Sequence, residues 1–287
     1  MFILTFDPFH KIIRASGRGC YIPALNTPTG SSPFADDSNL HTDGPDAIPA
    51  MRILVASVEA FVRWLGLFVN MPKSYISAID FSTGQSVATD SITLDGLPFT
   101  ALLPGQAHKH LGVRMTMTGN FEVEKEYVRG EMQRRLESLN ADEVLSPSLK
   151  ELAIKVGIIS VFRYSAGLVP WSRSELNNIS KMWSTGYKQA WYKKAARSAD
   201  ATPMILSDDY PGRDCPSSIE VWTCDALDLY DQFMSLPGDI SQLSMYFLHQ
   251  TCLDHRCWTL NQLQRLMRIG GSPDATSVIE LLMLRLD

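Results

Sequence analysis

Phe2, Phe6, Phe9 and Ile13 recur at intervals of three and four residues, a spacing that predicts a short helix over residues 1–15. A longer stripe of Ile48, Met51, Val55, Val58, Val62 and Leu65 predicts a second helix over 46–65. Asp46 stands where a cap is needed, Pro49 falls in the first turn, and Gly66 supplies the stop. Between them, residues 20–33 carry Pro23, Pro28, Gly30 and Pro33 and cannot form a regular strand along their whole length. Residues 34–41 read as a tight hairpin. Short β patterns follow at 74–81, at 91–102 around Asp95-Gly96, and at 110–115; Asp-Gly is a strong two-residue hairpin turn.

From Phe121 onward the period changes to that of helices. Helices are predicted near 121–140, 147–165, 172–197, 217–235, 239–255, 258–269 and 275–286, separated by breaks such as Ser146-Pro147, Val169-Pro170 and Leu236-Pro237-Gly238. Ser172 followed three residues later by Glu175 has the form of a capping box. No fixed period repeats, which argues against a solenoid. The pattern is α+β: short strands with helices over 1–120, then a mainly α-helical part over 121–287, with a further boundary near 198.

With 287 residues, 45% of them hydrophobic and 20% charged, the chain can bury a substantial core in about two domains. Its apolar runs fall far short of the roughly 20 residues a spanning helix requires, so no membrane partner is expected. Asp7-Pro8 interrupts the apolar N-terminus early, unlike a secretory leader, and the first residues read as mature sequence. Five widely spaced cysteines resemble reduced thiols more than a disulfide framework, and the expected location is intracellular, nucleus or cytoplasm. His249, Cys252, His255 and Cys257 match no standard zinc spacing and read as part of a helix.

The net charge of −5 is unevenly spread. Residues 1–100 balance to −3, residues 101–200 to +5 and residues 201–287 to −7. A basic middle between acidic ends is what a phosphate-contacting segment flanked by protein-facing parts has, and ordinary solvated helix faces produce the same balance.

Asp36-Asp37, preceded by Phe34-Ala35, carries the candidate chemistry. Adjacent side chains of a strand point to opposite faces, so two neighbouring carboxylates approach one site only at a turn. Mg²⁺ takes hard oxygen ligands, and a pair of such ions serves in-line phosphoryl transfer. A second pair, Asp208-Asp209, reads as loop. Gly-rich phosphate loops, metalloprotease, Ser/His/Asp and dinucleotide-binding motifs are absent.

The segment from Pro33 through Ser74 resembles that of reverse transcriptases of the non-LTR retrotransposon type. There an Asp-Asp turn leads through a helix to a Gly-Leu-x-x-Asn-x-x-Lys-Ser element, here Gly66-Leu67, Asn70 and Lys73-Ser74. His110-Leu111-Gly112-Val113 is similar to the family's Tyr-Leu-Gly-Val element, and the stretch from Phe162 to Trp183 looks like its thumb segment. The similarity spans roughly residues 1–195. It implies a partial polymerase palm over 1–120, a helical thumb-like region over 121–197 and an acidic helical region over 198–287. It implies that Asp36 and Asp37 bind Mg²⁺ and that Lys73 lies near the phosphates of the incoming nucleotide. His110, Leu111 and Gly112 would then grip the primer end, with an RNA template and a DNA primer as partners; the local positive balance alone marks Arg114, Lys125, Arg129, Arg134 and Arg135 as candidate contacts to duplex phosphates.

The chain departs from that family in three places. The third carboxylate of the palm has no counterpart upstream of Asp7. The run before Asp36 holds Pro28 and Pro33 in place of an apolar strand, and His110 stands where the family has Tyr. These departures lead to the expectation that the isolated chain does not polymerise. The alternative function is a non-catalytic helical module, derived from a retroelement, that binds protein or RNA; the acidic C-terminal helices are its expected protein-facing part.

Overall fold

The computed structural model describes residues 2–23, 25, 28–34, 37–192 and 215–235, together with residues 242, 243, 245, 246, 249 and 250. The chain divides into two compact units, Met1–Asn120 and Phe121–Asp287. Helices and short strands mix in the first, and helices alone build the described part of the second.

In the first unit, α1 (Phe2–Ala15) and α2 (Ala47–Leu65) flank a hairpin of β1 (Ser31–Phe34) and β2 (Asp37–Leu40). Phe9 and Ile13, one helical turn apart, pack with Leu54 and Phe61 of α2 in a buried cluster. The rings of Phe9 and Phe61 are 5.2 Å apart. Asp46 precedes α2 but makes no side-chain cap. The other end is as the residues predict: Gly66 adopts φ 68°, and the Leu67 N–H donates to Val62 O at 2.8 Å, the six-to-one bond of a glycine stop.

The hairpin starts at Ser31, three residues before the predicted 34, and runs through Pro33 without interruption. Its register pairs Ser31 with Leu40, Ser32 with Asn39, Pro33 with Ser38 and Phe34 with Asp37. The His41 N–H donates to Gly30 O at 3.0 Å in the same register. Hydrogen-bonded pairs alternate along an antiparallel ladder, so they fall at residues 30, 32 and 34 of the first strand. Pro33 therefore takes a non-hydrogen-bonded slot and costs the ladder no donor, which corrects the expectation that it would disrupt the strand.

Side chains alternate as well. Leu40 packs against the apolar clusters on α2, and its partner Ser31 receives His10 Nδ1 at 3.0 Å. Ser32, Asn39 and His41 consequently point to the opposite side.

The remaining strands pair in twos: β3 (Tyr75–Ile76) with β8 (Thr100–Ala101) in parallel, and β4 (Ile79–Asp80) with β5 (Gln85–Ser86), β6 (Thr93–Leu94) with β7 (Leu97–Pro98), and β9 (His108–His110) with β10 (Val113–Met115) antiparallel. The predicted strand at 74–81 is thus two strands with different partners. Two turns have both central residues at positive φ, Asp95-Gly96 (49° and 75°) and Leu111-Gly112 (46° and 89°), the form that matches the twist of a two-residue hairpin.

The second unit is built from α3 (Glu122–Ala141), α4 (Pro147–Ala153), α5 (Ile159–Ala166), α6 (Arg173–Tyr192) and α7 (Ser218–Ser235). A π-turn, Ile154–Ile158, joins α4 to α5. Trp171, Trp183 and Trp222 are fully buried. Phe162 lies 5.5 Å from Trp171 and 5.7 Å from Trp183, ring to ring. Two indoles keep a polar partner while buried: Trp183 Nε1 donates to Pro216 O at 2.9 Å and Trp222 Nε1 to Val169 O at 3.3 Å.

No described helix is long and apolar enough to cross a membrane. The boundary predicted near 198, the helices predicted over 258–269 and 275–286, and Cys252, His255 and Cys257 lie outside the described residues.

Candidate functional site

Asp37 opens β2 and is exposed, paired across the hairpin with Phe34. Asp36 lies outside the described residues. Period two places Asp37, Asn39 and His41 on one side of their strand. That side meets the β9/β10 hairpin: Asn39 Nδ2 lies 2.8 Å from His110 Nε2, a contact between residues 71 apart in sequence. Asp37 and the His110-Leu111-Gly112 turn are thereby brought to neighbouring elements of one unit. Leu111, an apolar residue at φ 46°, is a conformation that side chains with Cβ rarely adopt, and Gly112 completes the turn.

Lys73 is exposed at the end of a short 3₁₀ turn, Met71–Lys73. Its N–H donates to Asn70 O at 2.9 Å, and Ser74 Oγ to the same carbonyl at 3.0 Å. The Asn70, Lys73 and Ser74 spacing thus closes a turn that delivers the chain into β3. Among the described residues no hydrogen bond or ion pair ties the Lys73 ammonium to Asp37. Arg114 sits on β10 opposite Lys109, half-buried and already engaged.

Residue types alone did not single out Asn39 and His41. Ser32 Oγ lies 2.9 Å from His41 Nε2, and His41 and His108 both stand close to His110. Burial first, and then the charge of His110, hold both rings below their ordinary value of 6.5, while the Met115 backbone raises His108 in part. The signal was present as alternation, Asp37, Asn39, His41 along one strand and His108, His110 along the other.

A divalent cation needs several oxygen ligands from converging elements. Among the described residues no group of three or more His, Cys, Asp or Glu side chains is placed to hold one, and the hairpin contributes one described carboxylate, Asp37. The described residues by themselves do not assemble a two-metal centre.

In the second unit, the predicted phosphate contacts are occupied by carboxylates. Lys125 Nζ, its side chain 9% exposed, lies 3.0 Å from Glu122 and 3.1 Å from Glu175. Arg129 reaches Glu175 at 3.4 Å. Arg134 donates through Nε and an Nη to the two oxygens of Glu131, both at 2.8 Å, and Arg135 Nε adds a third bond at 2.8 Å. Hydrogen bonds from Arg134, then Arg135, hold the Glu131 carboxyl down to about 2. Arg135 also donates to Gly157 O at 2.6 Å, a carbonyl within the π-turn. Lys125, Arg129, Arg134 and Arg135 are in this way each engaged with a carboxylate of the same unit. Compared with family models and with curated proteins, the chain matches none.

Proposed function

We propose that this chain derives from a retroelement-type reverse transcriptase, the first unit corresponding to part of its palm and the second to its thumb, and that it holds a template–primer duplex without extending it. The observation that carries this reading is the Asn39–His110 contact. It sets the His110-Leu111-Gly112-Val113 turn against the side of β2 that bears Asp37, the relation a primer grip needs to a metal-binding turn. The order α1, hairpin, α2, Lys73 turn and β9/β10 hairpin supports it further. Polymerisation needs more ligands than the one described carboxylate provides. The test is primer extension on an RNA template with Mg²⁺, run beside duplex binding at rising salt. The expected outcome is salt-sensitive binding with no extension; robust extension by the pure chain overturns the inactivity, and absence of duplex binding overturns the reading.

A second reading is favoured by one surface. Leu149, Leu152 and Val156 recur at i, i+3 and i+7 through α4 and the π-turn and are 51%, 54% and 67% exposed. An apolar stripe of that spacing on the outside of a helix suits a protein partner. A module of this kind self-associates or binds protein independently of salt, and Leu152→Glu abolishes the association while leaving duplex binding intact.

A further inference from the structure

β2 and β9 face one another through alternate residues. Asn39 and His41 lie on one side of the first, His108 and His110 on one side of the second, and the Asn39–His110 contact of 2.8 Å joins them. Ser32, opposite Asn39 in register, holds His41 at 2.9 Å.

Among the described residues, the charged groups around this junction are few. Asp37 shares the side of β2 with Asn39 and His41 and is exposed. Lys109 and Arg114 form a cross-strand pair at the alternate positions of β9 and β10 and so point to the other side. On α1, His10 bonds Ser31 on the far side of the hairpin, and Lys11 and Arg14 are exposed. Asp43, beyond His41, accepts the Tyr21 N–H at 3.0 Å.

We propose that Asn39, His41, His108 and His110 form a proton-operated latch between the β1/β2 and β9/β10 hairpins, closed when the rings are neutral and released by acid. Neutral His110, carrying its proton on Nδ1, accepts the Asn39 amide N–H at Nε2. A proton taken from solvent at Nε2 turns that acceptor into a donor facing a donor, and the contact is lost unless the amide rotates. The same proton places a cation beside His41 and His108, whose own charging is then opposed. Among the described residues, the exposed Asp37 is the carboxylate on this side.

The direction follows from linkage. Burial and then the charge of His110 depress His41 and His108, so the unfolded hairpins bind more protons than the docked ones. The contribution is fully present above about pH 6.5 and is lost as pH falls below it.

The experiment is an NMR titration of the imidazole rings of the full chain, with amide hydrogen exchange at pH 7.5 and 5.5 corrected for intrinsic rates. Midpoints of His41 and His108 below the free-histidine range are expected. So is a severalfold loss of protection at pH 5.5 for the His41 amide, which bonds Gly30, and for the β9/β10 ladder, with no such loss in α6. His110→Gln keeps a hydrogen-bond acceptor but cannot charge, so it raises the other two midpoints in part, burial remaining, and lessens the loss of protection at pH 5.5. His41→Gln is the second variant: it removes one of the two depressed rings and lessens the loss of protection at pH 5.5. Ordinary midpoints that His110→Gln does not move, or protection independent of pH in the wild-type chain, overturn the proposal.

Discussion

Lys125 of α3 and Glu175 of α6 meet at 3.1 Å with the lysine side chain almost fully enclosed, its ammonium 5.8 Å from the centre of the Trp171 ring. Glu175 also accepts the Ser172 N–H at 2.8 Å while Ser172 Oγ accepts the Glu175 N–H at 3.3 Å. One carboxylate thus caps a helix and neutralises a buried cation. Glu175→Ala leaves Lys125 the more exposed Glu122 as its remaining carboxylate partner and is expected to cost about 2 kcal/mol, read from urea denaturation at pH 7. Glu175→Gln keeps the cap and loses less. Burial pushes the Glu175 carboxyl up, but the bonds from Ser172 and Lys125 outweigh it and leave it below its ordinary 4.5. Its contribution is therefore complete above about pH 4.5 and disappears as pH falls through the lower folded value. The wild-type chain should lose stability over that acidic window more steeply than Glu175→Gln.

Gly186 lets α3 approach α6. A Cβ built there would stand 2.4 Å from Leu136 Cδ2, a buried side chain. Gly186→Val is expected to destabilise by about 2–3 kcal/mol through overpacking. Gly186→Val combined with Leu136→Ala should lose less than the two separate effects added, because the smaller partner vacates the space. Thermal denaturation of the four chains measures this coupling.

Gly30 and Gly44 separate two reasons for glycine. At Gly30 an added Cβ would lie 2.5 Å from Arg18 O, a backbone atom with no freedom to retreat. At Gly44 the space is open but φ is +77°. Gly30→Ala should cost about 2–3 kcal/mol and Gly44→Ala about 1 kcal/mol. Hydrogen exchange at the Cys20–Thr29 bridge distinguishes them: it rises strongly in the first and little in the second.

Arg163 and Asp225 join α5 to α7 through a bidentate pair, with the closest contact at 2.7 Å. The arginine side chain is more than half exposed, and so the pair is worth only about 0.5–1 kcal/mol. Arg163→Ala should lose that much at low ionic strength, and 1 M NaCl should largely erase the difference between variant and wild type.

Local rules were legible in the residues. Gly66 had to stop α2, Asp95-Gly96 had to turn, and Ser172 with Glu175 had to form a reciprocal cap, because each depends on chemistry within a few positions. What depended on distant partners was hidden. Whether Pro33 disturbs a ladder turns on the parity of the hairpin register, and residue type carries no parity. Counts of charge located a basic segment but not Glu131 and Glu175, which engage Lys125, Arg129, Arg134 and Arg135 in the folded unit. The parallel pairing of Tyr75 with Thr100 and the contact of Asn39 with His110 join residues too far apart for any periodicity to reveal. Of the candidate site, Asp37 and the His110-Leu111-Gly112 turn could be singled out from sequence, whereas the histidines clustered beside them required the fold.

Pro33 has a further effect on the outside of its hairpin. At a non-hydrogen-bonded position a residue directs its amide outward, and proline has none to direct. Thr29, just upstream, already bridges to Cys20. The free margin of β1 is therefore broken as a row of donors, which blunts it against edge-to-edge aggregation. β2 by contrast has no proline, and its outward amides, those of Ser38 and Leu40 in this register, leave its row of donors unbroken.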